Sequence, residues 1–187
     1  MKKTLLTVLL FCFAPHLPVH AAEPASGKSP NSSLAQEISN EEAALKVLRD
    51  KAEQGDKEAQ TQLTRKLLRS SWPLYRTEGI ERLKIEADAN DAPAQFLLAK
   101  AYLNQRNGDH YDPKSGVAYL KKSAESGFAP AQLLLSVVLA KHSELPRDYV
   151  QSAEWAKKVL NNPQADEKLT SGANKMLAFI EDEQKKK

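Results

Sequence analysis

The chain holds one cysteine, Cys12, in 187 residues. That excludes an intramolecular disulfide framework and any cysteine-built zinc module. Its seven glycines are scattered singly, so no glycine-rich loop is available to cradle phosphate. Aromatic residues make up 6% of the chain, and no segment alternates apolar and polar residues in the β-branched style of a strand. Neither sign of charge dominates: 27 Lys and Arg face 24 Asp and Glu, for a net +3. This is far from the clustered basic excess of a nucleic-acid binder. What the sequence has in quantity is Ala, Leu, Lys, Glu and Gln, which favour helix.

Residues 1–21 read as a secretory signal peptide. Lys2 and Lys3 form a basic start, Leu5 to Ala14 an apolar stretch, and Pro15 and Pro18 break it ahead of Val19-His20-Ala21. Ten apolar residues at about 1.5 Å each are too few to cross roughly 30 Å of hydrocarbon, so an anchor is not expected. Cleavage after Ala21 or Ala22 would place the chain in a periplasm, or outside the cell. It would also remove two lysines, no acid and the cysteine, and so lower the charge from +3 to +1. Residues 22–39 are rich in Pro and Ser, which predicts a flexible lead-in. Residues 184–187 read as a basic tail.

Self-similarity governs the remainder. One pattern occurs three times: Ala52 to Gly55 with Ala59-Gln60 and Leu63; Ala87 to Asn90 with Ala94-Gln95 and Leu98; Ala124 to Gly127 with Ala131-Gln132 and Leu135. A fourth copy opens at Asp148, where Ala153, Trp155 and Lys158 take the places of Val117, Tyr119 and Lys122, and degrades near Pro163. Each unit divides into two helices. Gly55, Asn90 and Gly127 share the position that must turn left-handed, which glycine and asparagine tolerate. Asn40, Asp56, Asp91 and Asp112 are expected as N-caps, the last followed by Pro113. Eight helices are predicted, at 41–54, 57–70, 77–89, 92–104, 113–126, 128–141, 149–161 and 166–181. Small residues at Thr64, Ala99 and Ser136 would let paired helices approach closely, and Trp155 is expected in the core. The fold class is therefore all-α, an α-solenoid of about four tandem helix-turn-helix repeats at 40–74, 75–111, 112–147 and 148–183.

The pattern resembles the Sel-one-like repeat, a relative of the tetratricopeptide repeat. The third unit carries the likeness best, with Asp112, Tyr119, Lys122, Ala124, Gly127, Ala131-Gln132 and Leu135. It departs where the family has glycine after the leucine, since Thr64, Ala99 or Ser136 stands there; Tyr102 alone keeps the family's tyrosine. The resemblance implies an α-solenoid without catalytic residues, of a kind that serves as adaptor or binding scaffold.

In tetratricopeptide-like stacks one helix of each pair lines the concave face. Carried over, that face takes the helices at 57–70, 92–104 and 128–141. The side chains clear of their apolar stripes are Thr61, Arg65 and Arg69; Phe96, Lys100 and Asn104; Leu133, Val137 and Lys141. This predicts a groove with Phe96, Leu133 and Val137 as apolar floor and four cations at its edge, suited to an acidic-amphipathic peptide or protein surface. Trp72-Pro73-Leu74 is read as covering a junction between repeats. His110, Asp109 and His142 are read as solvated loop residues in preference to metal ligands. No cofactor, nucleic acid or stable membrane insertion is expected. The function expected is that of an exported, non-catalytic adaptor in the bacterial envelope. Two alternatives are an immunity protein that neutralises a secreted antibacterial effector, such as a lipase-type toxin, and a hydrolase of the β-lactam-binding kind. The cysteine pairs that staple the β-lactam-binding relatives are missing here.

Overall fold

The computed structural model describes residues 30–186. The signal peptide at 1–21, the first part of the lead-in and Lys187 lie outside the described residues. The chain divides into two compact units, residues 1–39 and 40–187. Among the described residues there are eight α-helices and no strand. They are α1 (Pro30–Glu53), α2 (Lys57–Arg69), α3 (Pro73–Asp88), α4 (Ala92–Tyr102), α5 (Pro113–Glu125), α6 (Ala129–Lys141), α7 (Tyr149–Leu160) and α8 (Glu167–Lys185). A short 3-10 segment, Gln105–His110, follows α4. None of the described helices is long and apolar enough to cross a membrane.

Two expectations need correction. The lead-in was expected to be flexible to residue 39, yet helix is present from Pro30, and Asn40 lies within α1 instead of capping it. From Ser33 to Glu53 no Pro or Gly interrupts a run of good helix formers, so nothing in the local chemistry starts the helix at Asn40. The third helix begins at Pro73, four residues earlier than predicted, because Trp72-Pro73 supplies its entry. Trp72 stands half-buried at the N-cap, where its amide donates to Ser70 Oγ at 3.1 Å.

The turn chemistry follows the sequence reading. Gly55, Asn90 and Gly127 have φ of 87°, 65° and 85°. Asp56 accepts from Ala59 N, Asp91 from Ala94 N, and Asp112 from Lys114 N and Ser115 N. Successive helices pack pairwise from α2 to α8, and α8 also reaches back onto α6. Leu63, Leu67, Ile80, Leu83, Leu98, Leu120, Leu135 and Val159 are fully buried along the stack, as are Ala99 and Ser136, while Thr64 is 4% exposed. Trp155 is buried.

The contact between one repeat and the next depends on a small residue in the first helix of each pair. A Cβ on Gly79 would lie 3.0 Å from Leu67 Cβ, and one on Gly116 would lie 2.9 Å from Leu103 Cγ. At the equivalent place in α7, Ser152 donates its hydroxyl to Ser136 O at 2.6 Å. The recurring Ala-Gln pair has its own task. Gln60, Gln95 and Gln132 donate their side-chain amides back across the turn to the carbonyls of Ala52, Ala87 and Ala124 at 3.1–3.2 Å. Each of these carbonyls belongs to the last turn of a helix and accepts a backbone bond as well, from the N–H of Gly55, Asn90 or Gly127.

Candidate functional site

Helices α2 and α4 occupy the same position in successive repeats, so their C-terminal ends lie on one side of the stack. The α2–α3 junction and the 3-10 segment lie there too. Together they enclose a cleft of about 480 Å³ lined by Arg65, Leu68, Arg69, Ser70, Arg76, Leu97, Lys100, Ala101, Asn104, Arg106 and Asn107. Five of these side chains are cationic, and none is a carboxylate. No ion pair among the described residues engages Arg65, Arg69, Arg76, Lys100 or Arg106; the pairs involve Arg49, Arg82, Lys121 and Lys186 instead.

A basic residue in the last turn of a helix is favoured by the helix dipole. That accounts for Arg69 in α2 and Lys100 in α4. It does not account for Arg76, which sits in the first turn of α3, where the dipole opposes it, nor for Arg106 in the 3-10 segment. Arg76 is held by backbone instead: its guanidinium donates to Ser70 O at 2.9 Å, Ser71 O at 2.8 Å and Arg106 O at 3.4 Å. Its Nε is buried without an acceptor. Asn104 caps the 3-10 segment through Arg106 N at 3.1 Å, and Asn107 Nδ2 donates to Ala101 O at 2.7 Å. The cleft offers no histidine, thiol or carboxylate to move a proton, and its one serine accepts from Trp72 N. Its chemistry is that of anion binding, over a floor made by Leu68, Leu97 and Ala101.

The nine side chains expected in one groove separate into two groups. Arg65, Arg69, Lys100 and Asn104 do meet, in this cleft. Thr61 is exposed on α2, with its hydroxyl donating to Lys57 O at 3.1 Å, and does not line it. Phe96, expected in the floor, is half-buried and packs edge-to-face on Phe128 at 5.4 Å. Leu133 and Val137 pack against the core formed by α7 and α8, and Lys141 Nζ lies 4.0 Å over the Phe179 ring. The expected apolar floor on α6 is therefore covered by α8, whose Gly172 closes directly on Leu133. The extrapolation assumed three equivalent open helix faces, and α8 folds back over the third.

Sequence reasoning missed Arg76, Arg106 and Asn107, which come from the junction and the insertion rather than from the searched helices. The longer second spacing of the repeat, 37 residues after 35, was the available signal. His110 and His142 stand apart from the cleft lining. His110 Nε2 lies 3.1 Å from Thr77 Oγ1, and His142 Nδ1 accepts from Glu144 N.

A stack of two-helix hairpins that buries alanines and leucines between neighbours defines the class: an α-solenoid built of helical repeats. Two solved structures narrow it. One is a protective antigen present in uropathogenic Escherichia coli strains, displaying an SLR fold. It superposes with a TM-score of 0.61 at 26% identity, over 76% of this chain. The present chain spans only 29% of the length of that antigen. The other is a Sel1 repeat protein from Oxalobacter formigenes, with a TM-score of 0.50 at 25% identity, covering 71% of this chain and 98% of that one. No family model and no curated protein matches the chain. With the repeat motif at Asp112 to Leu135, these structures show that the chain has the fold of Sel-one-like repeat proteins.

Proposed function

We propose that this protein is an exported, periplasmic interaction scaffold that docks an acidic segment of another protein in the α2–α4 cleft and performs no catalysis. One observation carries the reading. In a chain whose charges nearly balance, five cations gather around one concavity with neither a carboxylate in its lining nor an ion pair to any of them. Like charges held together raise the energy of the free protein, and an acidic partner relieves this on binding. The sequence pattern at residues 1–21 supports the export half of the proposal, and the repeat fold supports a protein–protein role.

Affinity capture from envelope extracts, with the chain beginning at Ala22 as bait, tests it. A partner retained by the native sequence and lost with Arg65→Glu/Lys100→Glu supports the cleft. Equal retention by both baits overturns it. The identity of the captured protein also separates an adaptor from an immunity protein: an antibacterial effector in the eluate, inhibited on binding, would assign the second role.

A further inference from the structure

We infer that the same cleft is also a site for a compact oligophosphate, which excludes the acidic protein segment when it is bound. The inference rests on the cleft being the recognition site, and it adds a second ligand class to it. The argument begins with charge density. Five positive side chains surround a volume of about 480 Å³, which falls in the size range of small-molecule pockets rather than extended protein interfaces. To balance them with carboxylates would take five such groups in that space. A phosphoryl group carries about −1.5 to −2 at neutral pH, so about three suffice.

The donor set has the matching geometry. Three of the five cations, Arg65, Arg69 and Arg106, are arginines whose planar forks can bind phosphate in a bidentate manner, while the Arg76 fork is occupied by backbone carbonyls and contributes charge. Arg65 and Arg69 are one helical turn apart on α2, while Lys100 lies in the last turn of α4 and Asn104 at the cap of the 3-10 segment that follows it, so the lining comes from both repeats. Arg76 and Arg106 join them from the junction and the 3-10 segment. Arg76 is fixed there by three backbone carbonyls before any ligand arrives. Its Nε–H is buried without an acceptor, so one donor of this guanidinium is left unsatisfied beside the cleft. The floor contributes only Leu68, Leu97 and Ala101, with no acceptor to repel an anion.

The shared chemistry could come from a free oligophosphate or from a phosphorylated lipid headgroup, and the two are separable. Titration of the chain beginning at Ala22 with sodium tripolyphosphate, followed by calorimetry and by amide chemical shifts, reads the first. Sedimentation with phosphatidylcholine vesicles, with and without phosphatidic acid, reads the second. The expected result is saturable binding in at least one arm, with shifts centred on residues 65–76 and 100–107. Affinity should fall on the order of tenfold or more in Arg69→Gln/Arg106→Gln, and also on raising salt, as exposed charge interactions are screened. Lys121→Glu/Lys157→Glu, which removes two cations from other surfaces, should leave binding unchanged; circular dichroism verifies that each variant is folded. Binding in neither arm, or binding that the cleft variant retains in full, overturns the inference. Capture of a protein partner that depends on Arg65 and Lys100 while tripolyphosphate fails to bind would overturn this inference alone. Tripolyphosphate binding with cleft-independent capture would overturn the docking proposal alone.

Discussion

Gln132 Nε2 donates to Ala124 O at 3.2 Å across the turn at Gly127, and its Oε1 accepts from Asn162 Nδ2 at 3.0 Å. One buried side chain thus ties the two helices of its own repeat and the end of α7 in the next. Gln60 and Gln95 repeat the first half of this arrangement. Gln132→Ala should cost roughly 1–2 kcal/mol, since it removes two side-chain hydrogen bonds, while the Asn162 amide keeps Gly127 O and the Ala124 carbonyl keeps Gly127 N. Gln60→Ala, at a half-buried position, should cost about 1 kcal/mol or less. Denaturant titration of the two variants checks the ranking.

The left-handed turns provide a second comparison. Nothing lies within 4 Å of a Cβ built on Gly127, so an alanine there meets only its own backbone. Gly127→Ala should therefore destabilise by roughly 1–2 kcal/mol through conformation alone. Asn90→Gly keeps the left-handed geometry and should change stability by about 0.5 kcal/mol or less. Thermal unfolding of both would show the contrast.

The cover over α6 is testable by a coupled pair. A Cβ on Gly172 would lie 2.8 Å from Leu133 Cδ2, so Gly172→Val should cost roughly 1–3 kcal/mol through overpacking. Leu133→Ala removes the obstructing atoms. The double variant should lose less than the sum of the single losses, by about 0.5 kcal/mol or more. Strict additivity in chemical denaturation would mean that the two side chains do not share this contact.

Acid should weaken the first repeat junction. Glu78 on α3 accepts from the Arg49 guanidinium of α1 and from Arg82 Nε, and the Arg49 bond is the main cause holding its carboxyl below the usual range. A carboxylate with a depressed folded pKa stabilises the fold above its unfolded value, near 4.5, and that contribution disappears as pH falls through the folded value. Glu78→Gln should therefore be less stable than the native sequence at pH 7, by roughly 0.5–1 kcal/mol for a pair this exposed, and the difference should be smaller at pH 3. Stability curves at the two pH values measure it.

Much of the stack was legible because each repeat states its own geometry. Ala52, Ala87 and Ala124 set the register, and a glycine or asparagine three residues later marks the turn. An aspartate cap (Asp56, Asp91), an early proline (Pro93, Pro130) or both then start the next helix. These are local rules, and the structure obeys them. Half of the expected groove was not legible, because its fate depends on an end effect. Leu133 and Val137 look equivalent to positions on α2 and α4 until α8 folds over them. The cleft was only partly legible for another reason. Arg76 and Arg106 lie outside the repeated pattern, and only tertiary placement brings them beside Arg69 and Lys100. The Asn40 start failed because a capping residue inside an unbroken run of helix formers does not stop the helix before it.

Asp112 N donates to Tyr102 O at 2.9 Å, and one repeat later Asp148 N donates to Leu139 O at 2.8 Å. Each bond fastens the segment between repeats at its base, like a drawstring, so the helices on either side keep their spacing whatever lies beyond the knot. Residues 104–111 could then be lengthened, shortened or exchanged as a cassette while the stack beneath them stays in register. In such a molecule the residues that decide what is recognised and those that decide whether the chain folds can vary on separate schedules.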